Sequence, residues 1–282
     1  MTLSSHDTGS RVLRGVGAAL LLSGLVHLGV FWLDGSAWAG PISFRKPVLF
    51  GVSGGLMALS LAWVLDALNG RTRRSAMLWS GFIVVEVALI TLQAWRRQLS
   101  HFNLATTLDL AIFSLMGALI IAAWLITFWW TRLVLRNDAM APSTRAAVLG
   151  GLAMLHLASG FGVFMSVRGS MVMATGGTHP ELFGAAGSMH LPHAIAIHGL
   201  QVMHVAWWLS GRSRLVSAQA LWSAAVGVFL FFLGAVLQLV LGRAPVHLAP
   251  GSAVLLALAV TAFAPLGVAL LRPPRRALAL TS

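Results

Sequence analysis

The groups best suited to chemistry in this chain are three histidines and a glutamate set inside apolar runs: His27, Glu86, His156 and His198. Neutral imidazole and carboxylate are ligands for zinc, iron or copper, and histidine also ligates haem iron. In hydrocarbon such groups are costly, so they normally face a protein interior, a water-filled cavity or a ligand. At ~1.5 Å per helical residue, His27 lies roughly 20 Å from Arg14, Glu86 roughly 18 Å from Arg74, His156 roughly 17 Å from Arg145 and His198 roughly 21 Å from Arg212. If those arginines share one membrane face, the four groups share a slab about 4 Å thick drawn from four helices. The expectation is a metal or haem site: His27, His156 and His198 as cofactor ligands, and Glu86 as further ligand, proton acceptor or general base. A transition metal and a haem b, the latter held between His27 and His156, are equally compatible with that set. The competing reading is that these side chains bond one another and backbone carbonyls as interhelical glue.

Polar residues continue the pattern around the slab. The stretch Met189–Leu209, MHLPHAIAIHGLQVMHVAWWL, has the makings of a membrane helix yet carries four histidines and Gln201. At about 100° per residue, His193, His204, Gln201 and His198 fall on one broad face. His193 and Gln201 are therefore read as supporting residues, and His204, which lies deeper, as a structural bond. Gln93, seven residues after Glu86, shares its helical angle within about 20°. It leads toward a basic mouth formed by Arg45 and Lys46, before Pro47, and by QAWRRQLSHFN over 93–103. Two cations at a helix N-terminus face the positive end of its dipole, which is unfavourable without an anion. Arg45, Lys46, Arg96 and Arg97 are thus expected to hold a lipid phosphate, haem propionates or an anionic substrate, with snorkelling at the headgroups as the alternative. His101 and Asn103 are placed beside them as supporting residues.

Composition dictates the elements that must position these groups. Of 282 residues 58% are hydrophobic and 9% charged, with a mean hydropathy of +0.85; soluble domains carry about 25% charged residues. The expectation is an all-α integral membrane bundle, a single transmembrane domain over 1–282, in a bacterial cytoplasmic membrane. The net charge of +12 does not point to nucleic acid, because the basic residues sit in short clusters between apolar runs. Without cysteine, disulfides, thiolate metal sites and iron–sulfur clusters are excluded.

Eight runs are long enough to cross ~30 Å of hydrocarbon: near 15–33, 47–66, 76–95, 106–130, 146–167, 191–210, 218–241 and 251–271. Arg11, Arg14, Arg71, Arg145, Arg272 and most other basic residues fall at one set of ends. Arg45, Lys46, Arg96, Arg97, Arg168 and Arg243 fall at the other. The positive-inside rule then puts both termini in the cytoplasm. A cleaved signal peptide ending at Ala37-Trp38-Ala39 is disfavoured by the length of the first run and by His27 within it. The outer loop 168–190 is read as a lid or an interfacial connector, with a short helix over 179–187 from Thr178, Pro180 and Glu181. Gly51 and Gly55 permit close helix packing.

A faint repeat runs through the chain. GLVHLGVF around His27 resembles LAMLHLASGFGVF around His156. Pro47 and Pro192, and likewise Gln93 and Gln238, are 145 positions apart. This reading divides the chain into two parallel four-helix halves, 11–136 and 143–276.

At RKPVLFG (45–51), QAWRRQLSHFN (93–103) and PHAIAIHGLQ (192–201) the chain resembles a family of bacterial multi-pass membrane proteins without an established function. That family has glycine where Arg97 stands here. The resemblance implies that the three segments form one site and adds nothing about a reaction. The leading expectation is redox or metal-assisted chemistry on a lipid-soluble or periplasmic substrate. The first alternative is a proton-coupled transporter using Glu86, and the second a structural or assembly subunit.

Overall fold

The computed structural model describes residues 8–40, 42–68, 70, 72–176, 182–183, 187–211 and 216–271. It is helical: α1 (Thr8–Asp34), α2 (Arg45–Leu68), α3 (Arg73–Trp95), α4 (Thr107–Leu135), α5 (Pro142–Ala174), α6 (His190–Ser210), α7 (Ala218–Val240), α8 (Pro250–Ala262) and α9 (Ala264–Leu271), with two two-residue strands, β1 (Leu182–Phe183) and β2 (Gly187–Ser188), paired between α5 and α6. Among the described residues, seven stretches are long and apolar enough to cross a membrane: α1 to α5, α7, and α8 with α9 taken together. This is the composition of a multi-pass membrane protein. α6 is not among the seven, since its histidines and Gln201 lower its hydropathy.

The elements end where local chemistry ends them. Ser43 accepts from the Arg45 N–H at 3.1 Å and Pro47 follows in the first turn of α2. Thr106 caps α4 through the Asp109 N–H (3.1 Å), and Ser217 caps α7 through the Ala220 N–H (3.2 Å). The single span expected over 251–271 is broken at Phe263. Pro265 has no N–H and its ring crowds the carbonyl four residues back; the nearby Ala262 carbonyl accepts instead from Ser223 Oγ on α7, at 2.7 Å. The short helix expected over 179–187 is not formed at Leu182–Phe183 or Gly187, which are strand; its other positions lie outside the described residues.

α3 and α7 stop in the same way. After α3 the Arg97 N–H bonds to the Ala94 carbonyl (3.1 Å) and the Gln98 N–H to Gln93 (2.9 Å). After α7 the Gly242 N–H bonds to Leu239 (2.9 Å) and the Arg243 N–H to Gln238 (3.0 Å). Both are Schellman caps, whose turning residue must be left-handed: φ is 61° at Gly242 and 55° at Arg97. The tight turn at 97 is thus made without glycine.

The chain forms two compact units, 1–138 with 156–182 and 139–155 with 183–282. In the first, α1 and α2 meet along a glycine seam. A Cβ on Gly51 would stand 2.7 Å from the Gly24 backbone, and one on Gly55 2.8 Å from the Gly17 carbonyl. In the second, Gly199 packs against Met154 and Gly227 against Phe263, each leaving less than 3 Å for a Cβ. Small residues of this kind allow the close backbone approach on which helix association in lipid depends.

Candidate functional site

Glu86 is enclosed. It sits on α3 with 4% of its surface exposed, and its Oε2 has no hydrogen-bond partner. The local sequence puts it there: Ile83 and Val87, on either side of it, face Gly54 of α2, where Leu20 of α1 also arrives. One turn further along α3, Ile90 joins Ile112 and Met116 of α4 in a buried cluster, packed by Phe50 and Leu89.

Beyond that cluster the end of α3 is polar and paired. Gln93, fully buried, donates through Nε2 to Asp109 Oδ1 (2.9 Å) and to the Leu99 carbonyl (3.2 Å). The Arg96 guanidinium donates to Gln93 Oε1 and to Asp109 Oδ1, the latter at 2.8 Å. Thr106 Oγ1 completes the set by donating to Asp109 Oδ2 at 2.7 Å. Arg97 forms a two-pronged ion pair with Asp34 at the end of α1 and lies over the Phe44 ring, 5.1 Å from its centre. The hydrogen bonds that Arg97 donates to the Asp34 carboxylate, with that group's charge, raise the Arg97 pKa above its ordinary value. Arg96 and Arg97, expected to hold an external anion, therefore already hold carboxylates of the chain. Arg45 and Lys46 are half-buried at the start of α2. His101 stacks on Phe50 (5.5 Å between centres) and shares a 2.9 Å hydrogen bond with Ser100 Oγ. Asn103 is closed on its own loop, donating to Leu99 and accepting from the Ala105 N–H.

The histidines are engaged rather than assembled. His27 Nδ1 bonds to the Ser23 carbonyl (2.8 Å) and must be the protonated nitrogen, since a carbonyl only accepts. Its Nε2 accepts from the Trp95 indole at 3.3 Å. His156 stacks face to face on Phe128, 3.9 Å between centres. Its Nδ1 accepts from the Trp124 indole (3.1 Å). The Thr131 hydroxyl already donates to Thr127, so at 2.8 Å it accepts from His156 Nε2–H. In each ring one nitrogen donates and the other accepts, so no nitrogen is left over.

Nor do these groups lie at one level. The Gly54 contact sets Glu86 beside Leu20 on α1, so His27 lies about 10 Å nearer the mouth. On α4, Met116 belongs to the cluster beside Glu86, while His156 binds Trp124 and Thr131, which puts it about 16 Å away along that helix. The arginine ruler fails because Arg14, which pairs with Asp66, stands about two turns into α1, whereas Arg74 is at the very start of α3.

On α6, His198 is exposed and His193 half-buried. The Gln201 amide, oriented to satisfy both its ends, donates to the Ile197 and His198 carbonyls of its own helix. Among the described residues, no group of three or more His, Asp or Glu side chains could hold a metal ion. The donor set expected for a metal or a haem does not fit this arrangement. Sequence reasoning missed the partners: Trp95 and Trp124, whose indole N–H groups find acceptors in the two imidazoles, and Asp34 and Asp109, which answer the two arginines of the mouth.

Compared with known proteins, the chain matches no family model, no curated protein and no solved structure.

Proposed function

We propose that this is a proton-linked carrier of a bacterial cytoplasmic membrane in which Glu86 takes up and releases the coupling proton. α6 is the eighth span: its 21 residues extend about 31 Å, and the arginine-rich ends put both termini in the cytoplasm. The two-half reading is supported by register. α2 and α6 begin 145 positions apart, at Arg45 and His190; α3 and α7 both begin and end 145 apart, at Arg73 and Ala218 and at Trp95 and Val240.

The observation that carries the function is the enclosed carboxyl of Glu86 with its unpartnered Oε2. An unpaired carboxylate buried this way would cost several kcal/mol, so the enclosed group is the neutral acid. Once water reaches it, its proton passes to that water and the carboxylate is hydrated; closing the bundle requires the proton back. Conformation and protonation are thereby tied together, as coupling demands. On the helices packed against α3, Arg14 pairs with Asp66, Asp34 with Arg97 and Asp109 with Arg96; Arg11 lies in the first turn of α1 and bonds to Thr8, Arg45 and Lys46 begin α2, and Arg132 lies in the last turn of α4.

The test is carbodiimide labelling in proteoliposomes, since the reagent modifies carboxylic acids in apolar surroundings. Glu86 should be labelled, Glu86→Gln should not, and the rate should rise with acid and fall with alkali on the mouth side. A Glu86 labelling rate that ignores the imposed pH gradient would refute the coupling role.

A further inference from the structure

We infer that the mouth of the first unit is a two-layer gate over Glu86: a breakable polar latch of Gln93, Arg96 and Asp109, and beneath it an apolar plug of Phe50, Leu89, Ile90, Ile112 and Met116. The gate gives the proposed proton site its route to water, and its existence can be tested apart from that role.

The layers follow from the antiparallel run of α3 and α4. Gln93 and Arg96 meet Asp109 at the end of the pair. One turn inward Ile90 meets Ile112 and Met116, with Phe50 and Leu89 around them. Glu86 lies one further turn along α3, about 10 Å from Gln93. Ile90 is fully buried, and Ile112 and Met116 nearly so, so the plug keeps water from the carboxyl. A single helix-to-helix ion pair, Arg96–Asp109, closes the layer above it. A second, Arg97–Asp34, ties α1 to the same loop.

The equivalent joint elsewhere in the chain shows that the charges are not needed to make it. At the end of α7, Gln238 is buried like Gln93 and likewise donates to the carbonyl six residues on, that of Ala244, at 3.0 Å. Its remaining bonds are to backbone: it donates to the His247 carbonyl and accepts from the Ala249 N–H. At the same offset Leu241 and Gly242 replace Arg96 and Arg97, and Val254 replaces Asp109. A loop can thus be clasped to two helices by one glutamine and no charge. What an ion pair adds at the first joint is a contact that water can replace when it opens, at little cost in hydration.

The absence of cysteine makes the test direct. A single reporter, Glu86→Cys, is reconstituted and exposed on the mouth side to a membrane-impermeant cationic methanethiosulfonate, with Ala39→Cys in the exposed loop as a control for reagent and fold. The reporter should react slowly with the latch intact and about tenfold faster with Asp109→Asn added, as a tenfold larger open fraction would give. Arg96→Leu with Asp109→Val, which copies the uncharged joint, should return it to the slow rate. Equal rates with the latch intact and broken, or a fast rate in the uncharged double variant, would overturn the gate. The proton role is read separately, from carbodiimide labelling of intact Glu86, so either idea can fail alone.

Discussion

Gly51→Ala should destabilise the protein by about 2 kcal/mol, and the magnitude can be worked from the seam. The added Cβ would lie 2.7 Å from both the Cα and the N of Gly24 and 3.0 Å from the Leu20 carbonyl oxygen. Carbon atoms rest at about 3.5–4.0 Å, so α1 and α2 must part by about 1 Å. The obstructing atoms are backbone, and no rotamer change relieves them. Overpacking of this kind costs about 1–3 kcal/mol, and a site that cannot yield belongs near the top of that range. Gaining a better helix former returns about 0.5–1 kcal/mol, leaving a net loss of about 2. Gly29→Ala is the control: it lies on α1, the other helix of the seam, with nothing within 4 Å of the new methyl, and should be neutral or slightly stabilising. Thermal unfolding of both variants in one mild detergent, followed by circular dichroism, measures the difference. A Gly51→Ala protein as stable as its parent, or a Gly29→Ala protein equally damaged, would show that the seam is not the contact described here.

Three further outcomes follow from the polar contacts. Trp124→Phe keeps the ring but removes the donor to His156 Nδ1; it should cost about 1 kcal/mol, and His156→Phe in that background should cost less than it does alone, as a double-mutant cycle in the same unfolding assay would read. Arg97→Gly relieves the left-handed backbone while losing the Asp34 ion pair, whereas Arg97→Ala loses the pair and keeps the strain; the glycine variant should therefore melt higher than the alanine one, and the reverse order would contradict the Schellman cap. Because both nitrogens of His156 are engaged, His156→Ala should leave the metal content of the purified protein unchanged by elemental analysis; one equivalent of iron, copper or zinc lost with it would reinstate the ligand role.

The helices were legible because apolar runs of membrane length are nearly sufficient to define them. The expected 47–66, 76–95 and 218–241 correspond to Arg45–Leu68, Arg73–Trp95 and Ala218–Val240, the differences being single turns that caps and Schellman ends determine. What was not legible is how far each helix slides along its neighbours. Depth counted from arginines assumes that they share a plane, and the glycine seam and the Gly54 contact set the helices at other offsets. That error assembled His27, Glu86 and His156 into a site that the packing takes apart. Partner choice was equally hidden: an indole N–H and an imidazole nitrogen are complementary wherever they meet, but only tertiary contact says that Trp95 meets His27 and Trp124 meets His156. The importance of Gln93 was partly readable from its helical phase with Glu86. Its twin at Gln238 was visible as a spacing before either had a structural meaning.

The glycine seam has a bearing on how the protein is made. Its two helices are synthesised before α3 to α9, and the turn between them is short, so their contacts are local in sequence and cheap in loop entropy. At about 5–20 residues per second, α1 and α2 spend seconds in the membrane before the later helices emerge. A pair that already fits backbone to backbone can close as a hairpin in that interval and present one finished surface for α3 to dock against. Lesions at Gly24 or Gly51 would then act at insertion: they would lower the yield of assembled protein, through quality control, more than the activity of the molecules that escape it.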